Sequence, residues 1–191
     1  MILATWRARR ANRNLIEQLH GEIVAAARRP ALYLDFQAPD TLDGRFEMIA
    51  LHAGLVLRRL SAISGLGDDT AQDLAQNLAQ DLADCVFRHF DDALREIGVG
   101  DTSVPKRIKK MAEAFYGRNK AYAEGLADST SEGLERALAR NVYGVESLAD
   151  APAASALARY ARACAAALEA QGVADFAAGR IVFPEPWAAR S

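Results

Sequence analysis

"DTLDGRFEMIALHAGLVLRRLSAISGLG", residues 40–67, decides the fold. At about 100° per residue, Phe46, Ile49, Ala50, Ala53, Leu57 and Leu60 fall on one face of a helix. Met48, Leu51, Leu55 and Ala62 fall on the opposite face. A helix that is apolar on two sides has to be covered on two sides, so this segment is predicted to be the central element of a helical bundle. Asp40 or Thr41 reads as its N-cap, and Gly65 or Gly67 as its stop. Between the two faces Arg45, His52 and Arg59 form one narrow polar strip, interrupted near its end by Ile63, while Glu47 and Arg58 lie on the other side.

Working outward, Leu15, Ile16, Leu19, Ile23 and Val24 predict a first helix over about 14–28. It ends before Pro30, because a proline pushes the preceding residue out of the α region. "ALYLDFQAPD", 31–40, then reads as a loop with three apolar anchors, Tyr33, Leu34 and Phe36. Downstream, a long helix over about 69–97 contains the repeat QDLA-QNLA-QDLA, which sets Leu74, Leu78 and Leu82 four apart. Four residues overshoot a helical turn by about 40°, so that stripe winds slowly around the helix. No longer period recurs, and a local duplication explains it better than a solenoid.

A fourth helix is expected over 104–127, with Ile108, Met111, Ala112, Phe115 and Tyr122 on its apolar face. A fifth begins in "STSEGLERALARNVYG", 129–144, where Ser129 and Glu132 have capping-box spacing. A sixth covers about 152–171 and stops at Gly172. In "GRIVFPEPW", 179–187, Ile181 and Phe183 alternate around Val182 before two prolines, which predicts a short extended arm with Trp187 available to dock. The fold class is therefore all-α: a single-domain bundle of about six helices, with a central buried helix and a short extended C-terminal arm.

Composition agrees. The chain has 191 residues, 51% hydrophobic and 25% charged, with a formal net charge of -2. That suits one soluble domain with a proper core, and a near-neutral total argues against general coating of nucleic acid. Cys85 and Cys164 sit apart in apolar helical patterns, with no C-x-x-C pair or Cys/His cluster to support a zinc site. Reduced core thiols and a cytoplasmic address are expected. The start, "MILATWRARRANRN", has an apolar tip (Ile2, Leu3, Trp6) followed by Arg7, Arg9, Arg10 and Arg13. This is the reverse of a secretory signal. Residues 1–13 read as a basic N-terminal segment, either resting on anionic lipid or frayed in solvent, and 14–191 as the helical domain.

No Gly-rich phosphate loop, metalloprotease His pair or nucleophile elbow occurs. His20, His52 and His89 are spread over three helices; two of them could meet in space, but lone helical histidines are more often structural than catalytic or metal-ligating. In "FDDALRE", Asp91, Asp92 and Glu96 approximate the magnesium-binding cluster of helical isoprenoid enzymes. Such enzymes need a second acidic cluster on a facing helix and a larger barrel of helices, neither of which the chain clearly offers, and a solvated face is preferred. The expectation is a protein that is not an enzyme, with no catalytic residues, cofactor or metal.

"GVGDTSVPKRIKKMAEAFYGR", 98–118, carries the oddest local pattern. Ser103 and Pro105 read as a helix start, yet Lys106, Arg107, Lys109 and Lys110 fill the next turns. Cations at the positive end of a helix dipole each cost roughly 0.3–1 kcal/mol at an exposed site. Glu113, three or four residues from Lys110 and Lys109, and Asp101 just ahead of the helix would soften that cost by surface pairing. An anionic contact (lipid headgroups, RNA phosphate or an acidic protein segment) would give the cluster a purpose.

This stretch and "APDTLDGRFEMIALHAGLVLRRL", 38–60, together resemble the signature segments of the ubiquinol–cytochrome c chaperone family. The resemblance runs from about Leu19 to the "GRIVFP" tail and includes "RRPALYLDF" and "LARNVYG", with a looser match around Leu74 to Leu82. It implies an assembly factor for respiratory complex III, not an enzyme, that binds newly made cytochrome b. Mitochondrial members work near the ribosome exit region, at the membrane, and act with a small partner protein. The chain looks like a bacterial member, lacking a long N-terminal extension. What the resemblance implies is a cytoplasmic protein, peripheral on the inner face of the cytoplasmic membrane, with an anionic membrane surface and the ribosome exit region as further partners. Lys106, Arg107, Lys109 and Lys110, with Asp101, are expected to edge the client or membrane surface. Asp40, Asp43 and Arg45 form a second candidate edge, against which stands plain helix capping with a local Asp43–Arg45 arrangement. The alternative is an RNA- or ribosome-binding helical module.

Overall fold

The computed structural model describes residues 2–65, 69–128, 130 and 132–186, with side chains from residue 9 onward. The expected features at Gly67, Ser129, Trp187 and the Trp6 side chain lie outside these residues. The chain folds as α1 (Ile2–Ala27), α2 (Pro30–Leu34), α3 (Leu42–Ser64), α4 (Asp69–Glu96), α5 (Val104–Ala127), α6 (Glu132–Val142), a 3₁₀ turn (Leu148–Asp150), α7 (Ala153–Glu169) and α8 (Val173–Ala177). No strand occurs among the described residues, and no described helix is long and apolar enough to cross a membrane.

α3 is the hub, packed against α1, α4, α5, α6 and α7. Thr41 caps it, its hydroxyl accepting from the Gly44 N–H at 3.1 Å, and Gly65 closes it. Both predicted faces are largely covered: Ile49, Ala50, Ala53 and Leu60 on one side, Met48, Leu51 and Leu55 on the other, are buried, while Phe46 and Leu57 are half-buried and Ala62, near the helix end, is exposed.

Burial on every side leaves its polar residues to be satisfied inside the protein. His52 is fully buried. Its Nδ1 lies 2.7 Å from the Met48 carbonyl and its Nε2 2.9 Å from the Tyr160 hydroxyl on α7. A carbonyl only accepts, so the proton sits on Nδ1 and Nε2 accepts from Tyr160. Arg59 donates twice to the Gln171 carbonyl, at 3.0 and 2.8 Å. Two members of the polar strip, His52 and Arg59, are thus internal ties, while Arg45 at its start is exposed and pairs with Asp40 at the surface.

The C-terminal arm is extended as expected. Ile181 and Phe183 are buried, whereas Val182 between them is 61% exposed. The Gln171 amide holds both Val182 backbone groups, accepting from its N–H at 3.1 Å and donating to its carbonyl at 3.2 Å. Phe183 meets the His52 ring edge-on at 5.1 Å.

Several boundaries differ from the sequence reading. α1 begins at Ile2, so residues 2–13 continue the first helix; no Gly or Pro occurs before Gly21 to stop it. Asn12 on this stretch donates to Asp81 on α4 at 2.7 Å. Residues 30–34, expected as loop, form one helical turn that Pro30 is shaped to start. That turn points Leu32 and Phe36 inward and leaves Leu34 78% exposed, so Leu34 is not an anchor. α8 is an added turn after Gly172 that buries Phe176. The repeat stripe winds as expected: Leu82 and Leu78 are buried, and Leu74 has rotated out to 37% exposure.

Burial pushes the His52 pKa down from 6.5 to about 4. Between those values an unfolded chain protonates this ring and the folded chain does not, so stability should fall as pH drops from 6.5 towards 4. Urea unfolding at several pH values is expected to show that slope, and His52→Gln to reduce it. Tyr160→Phe leaves buried Nε2 without a donor and should cost about 1–3 kcal/mol at neutral pH.

Candidate functional site

The start of α3, the end of α4, the first half of α5 and the end of α6 converge on an open groove of about 720 Å³. Its floor is apolar, built from Phe46, Ile49, Phe90, Leu94 and Met111. The Phe46 and Phe90 rings pack 5.0 Å apart, tilted by 54°. Leu42 and Ile97, 53% and 55% exposed, stand in the lining as large apolar side chains still meeting water.

Two close backbone approaches shape this end of the molecule. A Cβ on Gly44 would lie 1.9 Å from the Pro39 carbonyl oxygen, so only glycine lets that loop fold back onto the first turn of α3. Across the groove, α6 ends before Gly144 at φ 70, a left-handed position. There Tyr143 donates its hydroxyl to the Phe36 carbonyl at 2.6 Å. This bond ties "LARNVYG" to "RRPALYLDF", two stretches far apart in sequence.

The rim is charged. Arg107 and Lys110 line it from α5, Asp43 and Arg45 from α3, and Arg28 from the residue following α1. The two candidate edges of the sequence therefore share one groove through these residues. Lys106 and Lys109 are exposed but do not line it, and neither do Asp40 and Asp101.

The expected softening of the α5 cations is missing. Among the described residues no ion pair engages Lys106, Arg107, Lys109 or Lys110, so Glu113 pairs with none of them. Asp101 instead binds Arg95 at the end of α4, which also holds Asp91 at 2.6 Å. That pairing occupies part of the "FDDALRE" acidic run, and no metal-competent group forms from Asp91, Asp92 and Glu96. Pro105 lies in the first turn of α5 as expected, but the Ser103 side chain makes no capping hydrogen bond. Its backbone is already in the helical region, where the side chain cannot reach forward to the free N–H groups.

At the second edge, Arg45 pairs with Asp40 at 2.7 Å and not with Asp43. The hydrogen bond from Arg45 holds the Asp40 carboxyl below its usual range. Asp43 is left in the first turn of α3, where the helix dipole favours an anion.

Sequence reading missed an ion pair in the groove lining. Glu47 is buried at 4% exposure, and Arg118 on α5 donates its Nε to it at 2.5 Å. The same guanidinium lies 5.5 Å from the centre of the Phe46 ring. Burial raises the Glu47 pKa, and Arg118 opposes that rise. The sole signal in the sequence was Glu47 lying beside an apolar stripe. Among the described residues, the groove lining contains no histidine, cysteine or serine. The arrangement suits holding a short apolar segment beside negative charge.

The sequence matches the family described as "Ubiquinol-cytochrome C chaperone" over residues 34–183, a span that includes α3 to α7. The fold is similar to the crystal structure of the Cbp3 homolog from Brucella abortus, with 38% sequence identity and a TM-score of 0.80. That similarity covers 97% of this chain and 98% of the other. No curated protein matches the sequence.

Removing one member of a buried pair leaves the other charge without compensation, which costs about 3–5 kcal/mol. Arg118 is 23% exposed, so Arg118→Leu should fall at the low end of that range in denaturant unfolding. Glu47→Leu combined with Arg118→Leu should recover most of the loss, because no lone charge remains buried.

Proposed function

The chain belongs to the ubiquinol–cytochrome c chaperone family, and from that premise we propose that it is an assembly chaperone for ubiquinol–cytochrome c reductase, respiratory complex III, which binds newly made cytochrome b. The carrying observation is the groove, an apolar floor under a rim with unpaired cations. A chaperone of this kind has to hold an apolar membrane protein without altering it, and an apolar floor with charge confined to its edges suits that task. Its volume takes a few side chains, not a whole membrane span of about 20 residues. The client is therefore gripped at a short segment, a loop or a helix end, with Arg107 and Lys110 facing its anionic groups or the lipid beside it. Work of that kind is done at the inner face of the cytoplasmic membrane.

Lys106 and Lys109 support a second contact. They stand outside the groove, exposed and unpaired, on the same helix. Ribosomal RNA at the exit region or an anionic bilayer offers the negative charge they lack. A ribosome contact of this type weakens steeply with salt as counterions are released.

Photocrosslinkers placed in cells at Leu42 and Ile97 test the reading directly. Capture of cytochrome b is expected, together with loss of assembled complex III in a deletion strain while other respiratory complexes persist. Normal complex III in the deletion strain overturns the proposal. Capture of ribosomal components alone replaces it with an RNA- or ribosome-binding module.

A further inference from the structure

A second cluster lies away from the groove, between α1 and α4. Glu17 and His20, three apart on α1, face Cys85 and His89, four apart on α4. One ligand atom from each of the four lies within 4.8 Å of every other. The two imidazole rings are stacked, their centres 4.1 Å apart and their planes 5° from parallel. Nε2 of His89 is 2.8 Å from the Glu17 carboxylate. Arg88 reaches over the group, donating to Glu17 at 2.6 Å and lying 3.1 Å from the Cys85 sulfur.

We propose that these four side chains form a zinc site that staples α1 to α4. One thiolate, two imidazoles and a carboxylate are the donors that zinc takes. Bond lengths of about 2.0–2.3 Å place neighbouring ligand atoms of a tetrahedral site roughly 3.3–3.8 Å apart. The widest observed spacing exceeds what coordination needs by about 1.0–1.5 Å, and the stacked His89 ring has to turn out of parallel with His20 to aim its lone pair at the same ion. Two of the donors have room to close that gap. Glu17 and His89 side chains are each 40% exposed, so they can turn and also leave a path for the ion. Cys85 and His20 form the buried half.

Among the described residues no hydrogen bond reaches the His20 ring, although it is mostly buried. Four protein donors fill a tetrahedron and leave no open position, which is the arrangement of a structural site and not of a catalytic one. Arg88 supplies the positive charge at this place when no zinc is bound. Its side chain is 50% exposed and can swing away when a divalent ion enters.

Full-length protein freed of metal with a chelator, then titrated with Zn²⁺ by calorimetry, tests the site. One zinc per chain is expected, with a rise in melting temperature. With Co²⁺ as the probe, a thiolate charge-transfer band should appear and be absent in Cys85→Ser. His89→Asn and Glu17→Gln, at half-exposed positions, should stay folded by circular dichroism and bind zinc about tenfold more weakly or worse. Arg88→Gln should bind zinc more tightly than the wild type, since a competing cation is gone. No saturable one-to-one binding by the wild type overturns the proposal. Binding that is unchanged in folded His89→Asn and Glu17→Gln overturns it equally.

Discussion

The structure depends on one constraint: α3 cannot meet water along most of its length. Twelve of its residues are buried, Glu47 and His52 among them. Apolar side chains set where the other helices pack, and the buried polar ones set how. His52 demands Tyr160 from α7, Glu47 demands Arg118 from α5, and Arg59 demands the Gln171 carbonyl. Gln171 in turn pins the C-terminal arm, and Phe183 of that arm packs on His52. A buried polar group left unsatisfied costs about as much as a lost core side chain. These ties therefore select one arrangement among the several that apolar burial alone would accept.

The groove is what remains where that enclosure ends. At the first turns of α3 the enclosure loosens, and Phe46, half-buried, lines the groove with Ile49, Phe90, Leu94 and Met111. The opening lies where α5 begins, with its four unpaired cations. Their position opposes the helix dipole and no carboxylate relieves it. A fold selected for stability alone has inexpensive remedies, such as an acidic residue in the first turn of α5, where none is present. Retaining the cations is consistent with a use that stability does not measure.

Periodicity made the bundle and the central helix legible, because both faces of residues 40–67 are apolar on any helical wheel. It also gave α5 its observed bounds, Val104–Ala127, since Pro105 and the spacing of Phe115 and Tyr122 agree. Short turns were less visible. α2 and α8 are five residues each, too short for a period to declare itself, and residues 2–13 lacked an apolar stripe to show that α1 continues. Of the candidate edge residues, Arg107, Lys110, Asp43 and Arg45 line one groove, while the partners of Asp40, Asp101 and Arg45 were misjudged. Local spacing pairs Asp43 with Arg45, but the rotamer that reaches back to Asp40 wins. Long-range meetings were out of reach altogether. Nothing in the sequence places Glu47 against Arg118, or brings His20, Cys85 and His89 together from two helices.

On the proposed function, the rim cations serve partner binding at the expense of helix stability. Arg107→Gln with Lys110→Gln separates these effects, because relief of the dipole and loss of the partner push in opposite directions. The double variant is expected to unfold no earlier than the wild type, yet to fail to restore complex III to a deletion strain. A double variant that restores complex III in full contradicts it.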